Sequence, residues 1–206
     1  MSDKMITIVD YGVGNLESIL NMFKRIGVKA QISGDVSEIE KAEKILLPGV
    51  GSFDAAMKKM KEKNLIEVLN IKALEEKIPV MGICLGMQLM LEESEEGQEK
   101  GLGWFPGKVI KFKFDNNDLK VPHMGWNHTV ILNNSCTMVE GIQGFKYYFI
   151  HSYYAQVHDE KHKLLSTNYG FDFDSAIVSD NIFGFQFHPE KSHKYGMKLF
   201  ENFAKI

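Results

Sequence analysis

The amino-acid sequence predicts an α/β fold: an open, mixed and largely parallel central sheet with helices on both faces, and antiparallel strands in the C-terminal half. In the first half, short β-rich apolar runs alternate with helical patterns, which favours a parallel sheet covered on both sides. After about residue 101, short β-rich runs follow one another between turn residues. A chain of 206 residues is long enough for one well-buried core. We therefore expect a single domain spanning residues 1–206.

The elements of the first half follow from apolar spacing and helix-end signals. Residues 5–9 read as a strand, and the helical pattern after the loop at 10–14 has Asn15 as its N-cap and Gly27 as its end. The remaining predicted elements are a strand at 44–49, one or two helices at 54–77, a strand at 78–83, a helix at 85–94, β-rich runs at 107–114, 128–132, 147–157, 175–180 and 182–187, and a closing helix at 193–204.

Composition and charge exclude several functional classes. Apolar residues at 44% and charged residues at 25% are typical of a globular protein, and no apolar run approaches the ~20 residues that span a bilayer. The net charge is −3 and Arg25 is the only arginine, so neither nucleic acid nor membrane is expected as a partner. No signal-peptide pattern opens the sequence, which predicts a cytoplasmic protein with free thiols at Cys84 and Cys136.

The residue patterns indicate neither a cofactor nor a metal. The glycine-rich loops at 12–17 and 48–54 lack the third glycine of a dinucleotide fingerprint, and the second lacks the Lys-Ser/Thr pair of a phosphate loop. The histidines and cysteines show no metal-ligand spacing. Such loops still permit unusual backbone angles, so main-chain N–H groups there can point into a cleft.

Cys84 is the first candidate for chemistry. The run Gly82-Ile83-Cys84-Leu85-Gly86 has the G-x-nucleophile-x-G form of a sharp strand-to-helix turn, with the nucleophile at the start of the helix. The free N–H groups there favour a thiolate, and the N–H of Leu85 is suited to bind an oxyanion. The competing interpretation is a small buried cysteine between glycines that only allow close helix–strand packing.

A base and an orienting group are available near the C-terminus. Pro189 favours an extended His188, so His188 and Glu190 would project to the same side if the extended backbone continues. The imidazole would then act on Cys84 while the carboxylate fixes its tautomer. In isolation, a His-Pro-Glu run is more often an ordinary strand end.

Five segments together resemble the class I (triad) glutamine amidotransferases. The first two mark the superfamily, and the last two point more narrowly to the glutaminase subunit of imidazole glycerol phosphate synthase. The segments are GICLGMQ at 82–88, HPEKS at 188–192, PGVGSF at 48–53, DYGVGNL at 10–16 and PHMGWN at 122–127.

That resemblance implies a flavodoxin-like open sheet and a Cys84, His188, Glu190 triad that hydrolyses L-glutamine through a γ-glutamyl thioester. It also implies that Gly49 and Val50 supply a second oxyanion donor beside Leu85. The glutamine head group would be held by Gln88, Glu96 and the main chain of His151, Ser152 and Tyr153.

The resemblance further implies a heterodimer with a (βα)8-barrel cyclase that receives the ammonia, with Asn15, Trp126 and Lys191 near the interface. By analogy, the isolated chain is expected to be nearly inactive, because the Gly49–Val50 peptide would rest with its N–H turned away from the oxyanion site. A glycine on one side of that peptide makes such a flip inexpensive.

Three alternatives remain open. The same glutaminase chemistry would serve a partner that amidates a nucleotide-linked or surface sugar; Tyr154, where relatives often carry a basic residue, and an enlarged 112–121 region leave room for it. A self-contained cysteine hydrolase, such as a γ-glutamyl peptidase, would need no partner. A non-enzymatic subunit would use Cys84 and His188 only for packing.

Overall fold

The computed structural model describes residues 5–114 and 119–206. Its strands are β1 (Ile6–Val9), β2 (Ala30–Ser33), β3 (Lys44–Leu47), β4 (Val80–Ile83), β5 (Leu91–Ser94), β6 (Phe105–Lys111), β7 (His123–His128), β8 (Val130–Ile131), β9 (Lys146–His151), β10 (Tyr153–Val157), β11 (Lys163–Asn168), β12 (Asp172–Ser179) and β13 (Ile182–Phe185). Its helices are α1 (Leu16–Arg25), α2 (Val36–Glu40), α3 (Phe53–Glu62), α4 (Leu65–Asn70), α5 (Leu85–Gln88) and α6 (His193–Lys205). A π-helical turn, Ile71–Glu75, extends α4.

The main sheet confirms the predicted fold class. Its strands lie in the order β2-β1-β3-β4-β13-β12-β10-β6-β5, with β11 beside β12 and β8 beside β11. The strands β2, β1, β3, β4 and β13 run parallel to one another, while β12 pairs antiparallel with both β13 and β10, and β10 pairs antiparallel with β6. Because parallel strands share their carboxyl ends, the loops after β1, β3, β4 and β13 meet at one edge.

Helices cover both faces of this sheet, as expected. Along β3, Ile45 and Leu47 face one core and Leu46 faces the other. Buried residues of α2, α3 and α4 pack in the first core, and those of α1 and α6 pack in the second. This alternation follows from the two-residue period of a strand, so a continuous apolar run supplies both faces.

Two helix ends carry defined caps. The Asn15 side chain accepts a hydrogen bond from the Ser18 N–H at 3.3 Å, which confirms it as the N-cap of α1. At the end of α6, the fully buried Lys44 donates to the carbonyls of Phe203 and Ala204, at 3.4 and 2.5 Å. A cation there satisfies carbonyls that have no helical donor and attaches α6 to the middle of the sheet.

The prediction of one helix over residues 85–94 is wrong. The helix α5 ends at Gln88, and β5 follows after two residues and pairs with β6 in parallel. The glutamates at positions 92–99 therefore do not lie on the end of a solvated helix. Instead, Glu92 accepts from the Gly107 N–H and Glu95 from the Lys111 N–H, each at 3.0 Å. Strand pairing and these side-chain bonds outweigh the helical spacing of the apolar residues.

The run at 147–157 forms two strands in different sheets. Ser152 separates β9, which pairs with β7 in a small antiparallel sheet, from β10 in the main sheet. The strand β7 was not predicted, because glycine and asparagine interrupt its β-rich pattern. The 112–121 region contains residues 115–118, which lie outside the described residues, so its predicted enlargement stays a prediction.

A hydrogen-bonded histidine pair joins the two sheets. The Nδ1 of His151 lies 2.8 Å from the Tyr153 carbonyl, which can only accept, so this nitrogen carries the proton. The Nε2 of a neutral His151 then accepts from the Nδ1 of His123 at 3.0 Å. The Nε2 of His123 in turn accepts from the Asn127 amide at 3.2 Å. Each donor in this series of hydrogen bonds finds an acceptor, and this holds only while both histidine rings are neutral.

The histidine pair predicts acid-sensitive stability. Burial lowers the pKa of His151 to about 3 and that of His123 to about 4. The unfolded chain therefore binds more protons below pH ~6.5, and the free energy of unfolding should fall as the pH drops. For His151 alone the loss between pH 6.5 and 5 is about 2 kcal/mol.

Urea unfolding at pH 7.5 and 5.0 checks this expectation. A His123→Phe variant should lose part of the pH dependence together with stability at pH 7.5. His158→Gln changes an exposed histidine and should leave the pH dependence unchanged. Equal unfolding free energies at both pH values in the wild-type chain would contradict the assignment of neutral rings.

Candidate active site

Cys84 lies at the carboxyl end of β4, where the backbone turns sharply into α5. Its φ is 53° and its ψ is −109°, a conformation that non-glycine residues rarely adopt. The Cys84 N–H donates to the Phe185 carbonyl of β13 at 2.7 Å, which secures the turn against the neighbouring strand. The sequence motif thus folds into the strand-to-helix elbow that its glycines suggest.

Three glycines make this close packing possible. A Cβ on Gly86 would lie 2.0 Å from the Leu47 carbonyl oxygen, and one on Gly49 would lie 2.6 Å from the Leu85 Cβ. A Cβ on Gly82 would meet the Met90 side chain at 2.6 Å and the Gly86 carbonyl at 2.8 Å. Side chains at these positions would push α5 away from β3 and β4. The glycines therefore allow the close helix–strand packing that builds the elbow.

The structure brings Cys84 together with His188 and Glu190. The His188 Nδ1 is 2.8 Å from the Glu190 Oε1, and both side chains are almost completely buried. The His188 Nε2 is buried without a hydrogen-bond partner among the described residues. The Cys84 sulfur is close enough to influence the pKa of this ring.

The electrostatics of this group favour a protonated imidazole at His188. Burial alone would lower the pKa of His188, but interaction with the Cys84 sulfur and the Glu190 carboxylate raises it to about 10. At neutral pH the imidazole therefore holds its proton beside the sulfur. A protonated ring next to a nucleophile is ready to donate a proton to a leaving group.

The backbone around His188 differs from the expectation in one respect. His188 itself is extended, with φ −101° and ψ 95°, as the following proline favours. The extended chain does not continue, because Pro189–Lys191 form a 3-10 turn. The Ser192 hydroxyl stabilises this turn by donating to the His188 carbonyl at 2.6 Å. The turn, not strand periodicity, carries the Glu190 carboxylate back to the ring.

A cavity of about 320 Å³ opens beside the Cys84 sulfur. This volume is at the lower end of the range for small-molecule sites. The residues that resemblance assigned to glutamine binding line it, and Gly49 lies behind it against Leu85. The lining consists of Val50, Gly51, Cys84, Leu85, Gln88, Glu96, Pro122, Ile150, His151, Ser152 and Tyr153.

Two polar side chains of the cavity have fixed orientations. The Gln88 amide nitrogen donates to the Tyr153 carbonyl at 3.0 Å and to the Gln186 Oε1 at 2.9 Å, which leaves the Gln88 oxygen as its unused acceptor. The Glu96 Oε2 accepts from the Phe53 N–H at 2.8 Å, at the start of α3. Glu96 is thereby held at the cavity wall with its second oxygen available.

Two buried residues of the site were missed from the sequence. Gln186 lies between Gln88 and Cys84, and its amide nitrogen is 3.6 Å from the Cys84 sulfur. Tyr11 is fully buried, and its hydroxyl donates to the Pro48 carbonyl just before Gly49. Burial, with a further contribution from the charge of Cys84, raises the pKa of Tyr11. Gln186 stands two residues before His188 inside a strand-like run, and its polarity at a buried position was the available signal.

Two of the three expected interface residues share one surface. Trp126 is 41% exposed, and its ring contacts Tyr148 at 6.1 Å and stacks on His193 at 5.5 Å, measured between centroids. The Lys191 ammonium lies over the same Tyr148 ring at 5.8 Å. Asn15 is exposed at the start of α1. The preceding Gly14 approaches Pro48 and Gly49, so this loop adjoins the Gly49–Val50 segment.

Tyr154 belongs to an aromatic cluster behind the cavity. Its ring lies 4.8 Å from that of Phe112 and 5.3 Å from that of Phe171, between centroids. Within residues 5–114 and 119–206, no group of three or more potential ligand side chains is arranged to hold a metal ion. Over the same ranges, no helix has the length and apolar content required to cross a membrane.

Comparisons with known proteins agree with this geometry. The profile described as "Glutamine amidotransferase class-I" matches residues 7–206. The imidazole glycerol phosphate synthase subunit HisH 2 of Methanococcus maripaludis is 51% identical, over 98% of this chain and 99% of its own. The subunit HisH 2 of Pseudomonas aeruginosa is 49% identical, over 98% of this chain and 100% of its own.

A solved structure with low sequence identity shows the same fold. The structure of PurLQS from Thermotoga maritima aligns with a TM-score of 0.75 at 18% identity, over 98% of this chain and 98% of its own. Profile and relatives both extend over nearly the whole sequence. The chain therefore belongs to the class-I glutamine amidotransferase family and, within it, to the HisH family of imidazole glycerol phosphate synthase subunits.

Proposed function

We propose that this chain is a cytoplasmic glutaminase subunit that hydrolyses L-glutamine and delivers ammonia to a (βα)8-barrel cyclase for imidazole glycerol phosphate synthesis in histidine biosynthesis. The observation that carries the proposal is the juxtaposition of Cys84, the His188–Glu190 pair and a cavity of about 320 Å³. The HisH relatives at 51% and 49% identity support the pathway. A reducing cytoplasm would keep Cys84 and Cys136 as the free thiols that the structure shows.

In the first half of the proposed reaction, Cys84 acts as a thiolate. The sulfur lone pair forms a bond to the δ-carbon of glutamine, and the carbonyl π pair moves onto oxygen. When the oxyanion collapses, the C–N bond breaks and the nitrogen takes the proton of the His188 imidazolium. Glu190 keeps the ring oriented through Nδ1 throughout. Ammonia and a γ-glutamyl thioester result.

In the second half, water hydrolyses the thioester. The neutral His188 accepts a proton from the attacking water, whose oxygen bonds to the thioester carbon. Collapse of this second oxyanion breaks the C–S bond, and the electron pair returns to sulfur as a thiolate. The new γ-carboxylic acid releases its proton to solvent as glutamate leaves, and the imidazolium–thiolate pair is restored.

Main-chain donors are the proposed stabilisers of both oxyanions. The N–H of Leu85 belongs to the first turn of α5, where helix N–H groups have no helical acceptor. The Gly49–Val50 segment is the proposed second donor, since Gly49 packs against Leu85. Val50 is 44% exposed, and Gly51 has a φ of 118°, so this peptide lies in a loop of unusual backbone geometry.

The head group of glutamine is assigned to the far end of the cavity. The free oxygens of Gln88 and Glu96 are acceptors suited to an α-ammonium group. The main chain at His151, Ser152 and Tyr153 lines the same end. This arrangement supports binding of an amino acid whose side-chain amide points at Cys84.

The surface containing Trp126 and Lys191 is the proposed docking site for the cyclase, with Asn15 beside the oxyanion segment. Tryptophan and tyrosine with a neighbouring cation are typical of the energetically dominant centres of interfaces. A partner is chemically necessary because ammonia in neutral water is largely ammonium, which is not nucleophilic. A dry passage between subunits would preserve the reactive form.

The alternative of ammonia supply for sugar amidation is not favoured. The relatives at 51% and 49% identity are named imidazole glycerol phosphate synthase subunits. Of the two features that left room for the alternative, Tyr154 packs within the aromatic cluster. The enlargement of residues 112–121 stays a prediction, because residues 115–118 lie outside the described residues.

The pathway assignment is tested with a Cys84→Ala variant in complex with the cyclase. Glutamine-dependent synthesis of imidazole glycerol phosphate should fall at least about 1,000-fold, because the nucleophile is absent. Synthesis from added ammonium should persist, since the cyclase site is unchanged. Product formation from both nitrogen sources is the measurement.

Cys136→Ala is the matched control and should support both reactions at wild-type rates. Glutamine-dependent synthesis that survives in the Cys84→Ala complex would contradict the nucleophile assignment. The isolated wild-type chain should hydrolyse glutamine far more slowly than the complex. A rate equal to that of the complex would favour a self-contained hydrolase.

Selective alkylation tests the imidazolium–thiolate pair. Iodoacetamide should modify Cys84 rapidly even at pH 6, whereas Cys136 should react slowly because burial raises the pKa of its thiol. An unassisted thiol with a pKa of about 8.5 is roughly 0.3% thiolate at pH 6, so His188→Asn should slow the reaction about 100-fold. Mass spectrometry of each cysteine peptide gives the rates; equal rates in wild type and His188→Asn would exclude the pair.

The docking surface is tested by Trp126→Ala. If this side chain lies at the centre of the interface, its loss should weaken cyclase binding by about 2 kcal/mol, or roughly 30-fold in Kd. Leu132→Ala removes an apolar residue of similar exposure, 50%, and serves as the control. Calorimetric titration with the cyclase measures both, and an unchanged Kd for Trp126→Ala would refute this docking surface.

A further inference from the structure

Gln186 is a buried polar residue in direct contact with the proposed nucleophile. It follows β13, has no solvent exposure, and its main-chain N–H donates to the Ser175 carbonyl at 3.0 Å. Its side-chain amide lies between Gln88 and Cys84. A primary amide with no access to water requires defined partners, because an unpaired buried polar group is costly.

The neighbouring contacts decide which end of the Gln186 amide faces the sulfur. The Tyr153 carbonyl can only accept, so the Gln88 nitrogen must point towards it. The second hydrogen of the same nitrogen is donated to the Gln186 oxygen at 2.9 Å. The Gln186 nitrogen is therefore directed at the Cys84 sulfur, 3.6 Å away. A reversed Gln186 amide would set two N–H groups against each other.

A directed N–H donor favours the charged form of its acceptor. Hydrogen bonds to ionised groups are roughly twice as strong as neutral ones. The sulfur is an anion at two points of the proposed reaction: before it attacks the amide carbon, and after the thioester C–S bond breaks. A donor fixed at both moments stabilises the nucleophile and the leaving group alike.

We propose that Gln186 is a further catalytic residue, whose side-chain amide donates a hydrogen bond to the Cys84 sulfur and is held in that orientation by Gln88 and the Tyr153 carbonyl. This inference rests on the proposed glutaminase function. The hydrogen bond from Gln186 differs from the His188–Glu190 pair because it moves no proton. It stabilises negative charge on sulfur and aims the side chain towards the cavity.

Two substitutions at this position separate the donor from its packing. Gln186→Glu keeps size and shape, and its oxygen still accepts from Gln88, but an oxygen replaces the N–H beside sulfur. Gln186→Met fills similar volume without a donor. Both are made in a Cys136→Ala background, so that Cys84 is the cysteine whose alkylation is measured. Ser175→Ala is the matched control, since its hydroxyl is buried without a partner among the described residues.

The first readout is the pH dependence of Cys84 alkylation by iodoacetamide. Loss of a charge-assisted hydrogen bond to the thiolate should move the midpoint upward by about one to two pH units. The second readout is glutamine turnover in the cyclase complex. The kcat should fall about 10- to 100-fold with a KM within about threefold of wild type, because the contact is to sulfur.

A purely structural role would change thermal stability without moving the alkylation midpoint. Unchanged midpoints and kcat values in both variants, with Ser175→Ala also at wild type, would overturn the proposal. The alkylation measurement needs no glutamine turnover. A displaced midpoint in a chain whose wild-type complex lacks glutaminase activity would therefore uphold the sulfur–amide contact while refuting the proposed function.

Discussion

At Cys84 the chain leaves β4 with a positive φ and begins α5 at the next residue, and this reversal decides where the other groups of the site can stand. A non-glycine residue in such a conformation costs of order 1–3 kcal/mol and persists only where its surroundings enforce it. Here two contacts hold Cys84 in this conformation: the hydrogen bond from its N–H to the Phe185 carbonyl, and the close packing of Gly86 against the Leu47 carbonyl. The sulfur consequently projects from the sheet edge into a cavity that it does not fill.

The Tyr153 carbonyl is the meeting point of two hydrogen-bonded chains. One comes from the small sheet through His123 and His151, and the other from the sulfur through Gln186 and Gln88. Both chains end on the same acceptor, which has two lone pairs and therefore satisfies both donors. Because every amide and ring orientation depends on its neighbour, the network admits one arrangement while the rings are neutral. The cavity wall is thus rigid on this side.

Much of the parallel half was readable from the sequence, because β1, β3 and β4 are apolar runs bounded by turn residues. The helix predicted over residues 85–94 failed because the apolar residues after Gln88 satisfy both periodicities, and only the pairing of β5 with β6 chooses between them. The division of residues 147–157 into two strands at Ser152 could not be predicted for a similar reason, because tertiary contacts decide which sheet a strand joins.

The residues of the candidate site also divide into those that the local sequence predicts and those that it does not. Cys84, His188 and Glu190 stand in short motifs whose local chemistry is informative. Gln186 and Tyr11 act through partners 102 and 37 residues away, and no local pattern encodes such contacts. Even the meeting of Cys84 and His188 depends on the register in which β13 lies beside β4, with Gly184 opposite Gly82.

The anchoring of Pro48 by the Tyr11 hydroxyl has a mechanical consequence. Because the bond lies inside the protein and involves the carbonyl immediately before Gly49, the chain up to that carbonyl is fixed to the end of β1. On the other side, the Phe53 N–H is bound to Glu96 at the start of α3. Torsional freedom is confined to the few bonds from Gly49 to Ser52, so a reorientation of the Val50 peptide is a crankshaft rotation between two clamped ends and leaves the surrounding elements stationary.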